Sequence, residues 1–209
     1  MKAQTRAELL ADLLAFLARL VSGASVRQAH PAALGESQRV YIANHSSHLD
    51  FIVLWSALPR SLRRVTRPVA AKDYWMKTAW RRYVSLHVYR AILIERDNVA
   101  AHNNPIDFIA QEMGEEYSII IFPEGTRGEG NEIGSFKGGI YHLVSKKPHL
   151  ECVPVYLENL NRVLPKGEIL PLPILSSITM GAPLQLEEGE KKNDFVQRLR
   201  EAVVGLKTH

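Results

Sequence analysis

The stretch VYIANHSSHLDFIVLW, residues 40–55, sets Asn44, His45, His48 and Asp50 between two apolar runs. Two imidazoles and a carboxylate this close together admit three chemistries: a metal site, a general-base pair, or a polar turn between buried elements. His45, His48 and Asp50 are suitable zinc ligands, and a catalytic zinc site takes three protein ligands. However, His45 at a strand end and His48 in a first helical turn need not converge, and the other histidines (30, 87, 102, 142, 149 and 209) show no paired spacing. On one continuous helix His45 and Asp50 would lie about 140° apart. If His45 instead lies on the turn before the helix, its ring can fold back over the first turn to meet Asp50. The carboxylate would then fix the tautomer and stabilise the imidazolium formed when the other ring nitrogen takes a proton. No G-x-S-x-G nucleophile motif is present, so such a base would activate a hydroxyl of the substrate rather than one of the enzyme.

A second constellation follows the apolar run SIIIF: Pro123-Glu124-Gly125-Thr126-Arg127-Gly128. It falls at a strand's carboxyl end, where α/β domains bind ligands. Gly125 and Gly128 allow tight or left-handed backbone that turns amides inward. Arg127 adds a permanently charged fork suited to phosphate. Lys72, in PVAAKDYW, and Arg96, in AILIERDN, also follow strand-like runs. Taken singly, each of these cations reads as an ordinary surface charge.

The elements that must position these groups alternate. Strands are expected at Arg39–Ala43, Pro68–Ala71, Ala91–Glu95, Ser118–Phe122, Glu151–Leu157 and Ser177–Gly181. Helices are expected at Ser47–Ala57, 73–84, from Asn104-Pro105 to Met113, Phe136–Ser145 and 194–206. Asn is a good cap, Pro suits a first helical position, and Gly114 is a natural stop. This alternation predicts an α/β fold, a single domain with a central mixed sheet flanked by helices and an amino-terminal amphipathic helix.

The 209-residue length, 46% hydrophobic content and 23% charged content suit one globular domain without low-complexity tracts or linkers. The single cysteine, Cys152, cannot form an internal disulfide and reads as a small buried hydrophobe in LECVPVYL. The net charge is only +4, but the segment from Arg60 to Arg90 concentrates cations and interleaves them with Tyr74, Trp75, Trp80, Tyr83 and Tyr89. That pattern suits a membrane interface. It also suits a nucleic acid, or a solvated basic face whose rings fill the core. The first helix carries Leu9, Leu10, Leu13, Leu14, Phe16, Leu17, Leu20 and Val21 on a broad stripe, with Glu8, Asp12, Ala15 and Arg19 on the other face and Gly23 as a stop. It is too short and too polar to span a bilayer, which takes roughly 20 apolar residues, and it lacks the pattern of a signal peptide. Together with the basic–aromatic segment it reads as a helix lying in the membrane interface.

NHSSHLD and FPEGTR, in this order and spacing, resemble the first and third sequence blocks of the glycerophospholipid acyltransferase family, which includes the lysophosphatidate (1-acylglycerol-3-phosphate) acyltransferases. The family's first block, Asn-His, four variable residues and Asp, is matched by Asn44, His45 and Asp50. The second centres on a basic residue after an apolar strand, and ILIERDN supplies Arg96. Phe122 through Arg127 match the third block in full, and VPVYL, with Pro154, matches the fourth. PVAAKDYW and GSFKGGIYHL resemble two further family segments. The resemblance covers roughly residues 38–160. It departs at Gly138, where a second lysine is common, and in a short amino-terminal membrane region. His48 falls at a variable position, which weakens the metal reading.

The resemblance implies transfer of a fatty acyl group from a thioester to the hydroxyl of 1-acylglycerol 3-phosphate, giving phosphatidic acid. It implies His45 as the base, Asp50 as its orienting carboxylate, and Arg127, Arg96 and Lys72 on the acceptor phosphate. Glu124 would bond acceptor hydroxyls or brace an arginine, Gly125 and Thr126 would belong to the acceptor loop, and Pro154 would lie near the acyl donor or chain. No metal and no resident cofactor are implied. Acyl-CoA or acyl carrier protein would be the co-substrate, a membrane lipid the acceptor, and no nucleic acid a partner. Residues 1–24 would form the interfacial helix and 25–209 the acyltransferase domain, peripheral or monotopic at the cytoplasmic face of the cell membrane. Glycerol 3-phosphate, another lysophospholipid or a lyso-aminolipid are alternative acceptors. From other classes, a non-catalytic lipid-binding module or a metallohydrolase using His45, His48 and Asp50 stands as the alternative.

Overall fold

The computed structural model describes residues 2–95, 104–128, 132–163 and 175–207. Strand β1 is Ser25–Ala29, β2 Arg39–Ala43, β3 Thr66–Ala71, β4 Ile92–Ile94, β5 Ser118–Ile121, β6 Glu151–Glu158 and β7 Ser177–Met180. They form one seven-stranded sheet in the order β1-β7-β6-β2-β5-β3-β4. The sheet is mixed: β6 and β7 run antiparallel, while the other pairings, among them β2 with both β5 and β6, are parallel.

The helices are α1 (Lys2–Ser22), α2 (Asp50–Ala57), α3 (Arg60–Val65), α4 (Lys72–Trp75), α5 (Ala79–Tyr83), α6 (Pro105–Met113), α7 (Gly139–Lys146), α8 (Leu160–Val163) and α9 (Lys192–Val204). All five residues of β2 are buried, as expected of a central strand covered on both faces. Its alternate side chains serve two cores. Tyr41 and Ala43 join Phe51, Leu54, Trp55 and Leu58 of the α2 side. Val40 and Ile42 join Ile109, Met113, Ile140, Leu143, Phe195 and Leu199 from α6, α7 and α9. Cys152 lies in this second core, where burial pushes its thiol up to about 12, and it behaves as a hydrophobe.

Helix α6 starts where Asn104 accepts a bond from the Ile106 amide and stops at Gly114, whose φ is 52°. The expected helix over 73–84 is broken. Thr78 adopts extended backbone and its side chain accepts from the Arg81 amide, so α5 starts anew there and passes into a π-helical turn over Val84–Val88. Once Thr caps a new turn, the preceding helix cannot run through it.

Helix α1 forms as the stripe suggests, but its orientation is informative. Ala15 is buried, and Leu10, Ala11 and Leu14 pack on the α2 core. The polar residues also turn inward: Asp12 pairs with Arg60 and Arg63, Glu8 pairs with Arg64, and Arg19 Nε donates to the Ser56 carbonyl at 2.8 Å. Much of what points outward is apolar: Leu9, Leu13, Phe16 and Leu20 are 64, 51, 62 and 68% exposed, beside exposed Arg6 and Arg19. No described helix is long and apolar enough to cross a membrane.

The basic–aromatic segment divides in the same way. Trp75 and Tyr89 pack edge-on against Phe51 in the core, and Arg67 pairs with Glu112. Met76, Trp80, Tyr83 and Leu86 remain exposed.

Candidate active site

Because β2, β3, β4 and β5 are parallel, their carboxyl ends share one edge of the sheet, and the residues singled out from sequence follow those ends. β2 and β5 are neighbours with Ile42 opposite Ile121. Continuing that register places His45 beside Glu124. Asn44, the first residue past β2, is buried and completes the sheet with its side chain: Nδ2 donates to the Leu157 carbonyl at 3.0 Å, and Oδ1 accepts from the Leu157 amide at 2.8 Å. The chain is thereby anchored to β6 one residue before the histidine.

The backbone of His45 is clamped on both sides. Its N–H donates to Glu124 Oε1 at 2.7 Å, and its carbonyl accepts from the Gly128 amide at 2.9 Å. Its ring stacks on Phe122, with centroids 4.4 Å apart. The ring does fold back over the start of α2: Nδ1 lies 2.8 Å from Oδ2 of Asp50, which is fully buried. The same carboxylate oxygen accepts from the amides of Ser46 and Ser47, at 2.6 and 2.8 Å. Among the described residues Asp50 Oδ1 has no hydrogen-bond partner. An oxygen already accepting two amide protons is an acceptor toward the ring, so Nδ1 carries the proton and Nε2 keeps its lone pair. A partly exposed imidazole with a free Nε2, held in place by a buried carboxylate, can take a proton from a bound hydroxyl.

His48 takes a different path. Its ring stacks on Tyr74 at 5.0 Å rather than turning to a shared centre with His45 and Asp50. Burial is the main cause holding its pKa below the ordinary histidine value, with Arg127, His45 and Arg81 adding to the effect and Asp50 opposing it. Among the described residues no group of three or more His, Cys, Asp or Glu side chains is placed to hold a metal ion.

In the loop after β5, Glu124 acts as a strut. Beyond its bond to His45, its Oε2 accepts from the Gly134 amide at 2.9 Å. Its carboxylate thus faces two backbone amides, where the sequence suggested acceptor hydroxyls or an arginine. Gly125 has φ +75°, so the turn favours glycine for its backbone, and the Lys137 side chain crosses it where a Cβ would lie 2.6 Å from Nζ. Thr126 is exposed beside it, and Arg127 is half-buried. The Arg127 guanidinium makes no hydrogen bond or ion pair among the described residues.

Lys72, at the end of β3, forms an exposed pair with Glu95 at 2.8 Å. Such a pair is worth little and can exchange for a phosphate. Arg96 lies outside the described residues. Pro154 is buried in β6 opposite Ile42, three strand positions back from His45, or roughly 10 Å along the strand direction. The structure brings His45, Asp50, Glu124, Gly125, Thr126 and Arg127 together at one edge, with Lys72 following the neighbouring strand, and leaves Pro154 within the sheet. Lys137, crossing Gly125, was not singled out from sequence, and Tyr74, covering His48, was read only as one ring of the basic–aromatic segment. Nothing local in GSFKGG or KDYW marks those contacts, which depend on how two loops cross.

Comparison with known proteins gives the family and the fold. The family described as Acyltransferase matches residues 21–158, so the chain belongs to that family. A 1-acyl-sn-glycerol-3-phosphate acyltransferase of Limnanthes douglasii is 29% identical over 174 residues, 81% of this chain and 59% of the relative. One from Haemophilus influenzae is 27% identical over 108 residues, 51% of this chain and 42% of the relative. This chain covers between 35 and 59% of the length of the curated relatives it matches. The crystal structure of the 1-acyl-sn-glycerophosphate acyltransferase PlsC from Thermotoga maritima superposes with a TM-score of 0.74, at 16% identity, over 94% of this chain and 76% of that one. It shares the fold.

Proposed function

We propose that this protein transfers a fatty acyl group from acyl-CoA or acyl carrier protein to the sn-2 hydroxyl of 1-acylglycerol 3-phosphate at a membrane surface, forming phosphatidic acid. The observation that carries the reading is the His45 Nδ1 contact to buried Asp50 at 2.8 Å. In the reaction, Nε2 takes the proton of the acceptor hydroxyl while that oxygen attacks the thioester carbonyl carbon. The tetrahedral adduct collapses, the carbon–sulfur bond breaks, and the imidazolium returns its proton to the leaving sulfur. A thiolate whose thiol has a pKa of about 8.5 leaves without a strong acid, so one histidine serves both proton transfers. No acyl-enzyme is needed. Arg127 and, by exchange from Glu95, Lys72 meet the acceptor phosphate, and Arg96 is the expected third cation.

The outward leucines of α1, with Trp80, Tyr83 and Leu86, are an apolar surface suited to the interfacial region of a bilayer, where aromatic rings sit at headgroup depth. Docking there, at the cytoplasmic leaflet, presents the sheet edge to a lipid acceptor that never has to enter bulk water. The test is acyl transfer by purified protein in mixed micelles, with each donor in turn and with either 1-acylglycerol 3-phosphate or phosphate-free 1-acylglycerol as acceptor. Phosphatidate from the first and little product from the second supports the assignment. Equal use of both acceptors overturns the role of the phosphate-binding cations.

A further inference from the structure

Arg81 stands out among the arginines near the site because it is held in place yet not neutralised. Arg60, Arg63, Arg64 and Arg67 are each paired with a carboxylate, and Arg90 donates to the Arg64 carbonyl. The Arg81 guanidinium makes no hydrogen bond and no ion pair among the described residues. Instead its Cζ lies over the Tyr74 ring at 4.4 Å, and Tyr74 in turn stacks on His48 at 5.0 Å and 20°. Tyr74 is itself steadied by Trp75, which packs edge-on against it and against Phe51 and Tyr89 of the core. Three side chains from separate elements thus form one pile, standing on the turn that carries His45 and Asp50.

The arrangement fits a planar cation. A guanidinium lying on a ring keeps its edge of N–H donors available for a bidentate anion, while the ring limits the freedom lost on binding. Arg81 reaches the His48 turn through the Tyr74 ring, and the loop carrying Arg127 reaches the same turn through the Gly128 amide, which donates to the His45 carbonyl at 2.9 Å, so the elements bearing the two cations meet beside His45. Neither is matched there by a carboxylate among the described residues: Glu124 is taken by two backbone amides and Asp50 is enclosed beneath the turn.

We propose that Arg81, held on Tyr74 above the His48 turn, is a phosphate ligand of the active site and works with Arg127. The proposal rests on the acyl-transfer reading for which substrate carries the phosphate. Two sources share that chemistry: the monoester of 1-acylglycerol 3-phosphate and the phosphodiester of the donor's phosphopantetheine arm. Arg81 follows no motif, since the sequence marks it only as one cation in a basic–aromatic run.

The test compares wild type, Arg81→Ala and Arg81→Lys, with acceptor and donor varied separately in mixed micelles. Arg81→Ala raises one KM by on the order of 10-fold, the range of a lost charge-assisted hydrogen bond, while kcat changes less. A rise for the acceptor assigns the lipid phosphate, and a rise for the donor assigns the carrier arm. Arg81→Lys recovers only part of the loss, because an ammonium lacks the flat fork. Equilibrium binding of 1-acylglycerol 3-phosphate and of 1-acylglycerol to the same proteins separates this inference from the broader one. If wild type binds the phosphate lipid, Arg81→Ala binds it about 10-fold more weakly, and no product forms with any donor, the acyl-transfer reading fails and Arg81 stands. Unchanged KM values and unchanged binding in a folded Arg81→Ala overturn the proposal. So does a loss confined to sedimentation with phosphatidylglycerol vesicles, which would make Arg81 a membrane contact.

Discussion

Asp50→Asn separates what Asp50 does by geometry from what it does by charge. All three hydrogen bonds to this side chain, from His45 Nδ1 and the amides of Ser46 and Ser47, arrive at one oxygen, Oδ2. An asparagine that places its carbonyl oxygen there keeps every donor satisfied and keeps the proton on Nδ1, so the histidine retains its free Nε2. Two things change. The new NH2 group occupies the position of Oδ1, which is buried without a partner among the described residues, at a cost of about 1–3 kcal/mol in stability. The imidazolium formed during catalysis also loses its counter-charge. At roughly 4 Å between charge centres and an effective dielectric of about 20, that attraction is about 4 kcal/mol, or on the order of 10³-fold in rate. Steady-state kinetics on folded Asp50→Asn therefore show kcat down about 10³-fold with the acceptor KM little changed. Thermal unfolding shifts down by several degrees, as a loss of about 1–3 kcal/mol in a domain of this size implies. A kcat within threefold of wild type, in a protein with that lowered melting temperature, would refute the charge argument. It would leave Asp50 as a purely structural brace.

Other consequences are open to direct measurement. Changing Leu13, Phe16 and Leu20 together to Gln removes much of the outward face of α1 and lowers partition onto anionic lipid vesicles at least 100-fold, given about 1.5–3 kcal/mol per buried apolar side chain. The melting temperature stays nearly constant because these side chains are exposed; an unchanged vesicle affinity would count against interfacial docking. Asn44→Ala leaves the Leu157 amide and carbonyl without their partners, a loss of about 2–4 kcal/mol at two buried groups, readable by urea denaturation. His48, with its folded pKa held below the unfolded value of about 6.5, makes the unfolded chain the better proton binder. Stability then falls as pH drops from about 6.5 toward the depressed folded value and levels off below it. His48→Gln removes that increment of acid sensitivity, and identical pH–stability curves for the two proteins would contradict it.

How far the sequence disclosed these features depended on how local each cause was. β2 and β5 were legible because strands covered on both faces must be apolar throughout, and α6 because Asn104, Pro105 and Gly114 are signals read from neighbouring residues alone. β1 was not: SVRQA is an edge strand with exposed Val26 and no apolar run. The break between α4 and α5 turns on one threonine that caps instead of continuing a helix. In α1 the stripe was legible but not the side that faces the protein. Glu8 and Asp12 look like solvent contacts until the arginines of α3 supply their partners. The His45–Asp50 contact was within reach because both ends belong to one turn. The strut role of Glu124 was not, since its partners are backbone amides on either side of a loop crossing, as was the distance of Pro154 from the site, which needs the register of β6 on β2.

The most direct test of the central claim is phosphatidate formation from 1-acylglycerol 3-phosphate by wild type and His45→Ala, each shown to be folded and bound to vesicles. The account predicts product from wild type and a rate lower by at least about 10²–10⁴-fold without the imidazole, with vesicle binding unaltered. Comparable rates from the two proteins would contradict it.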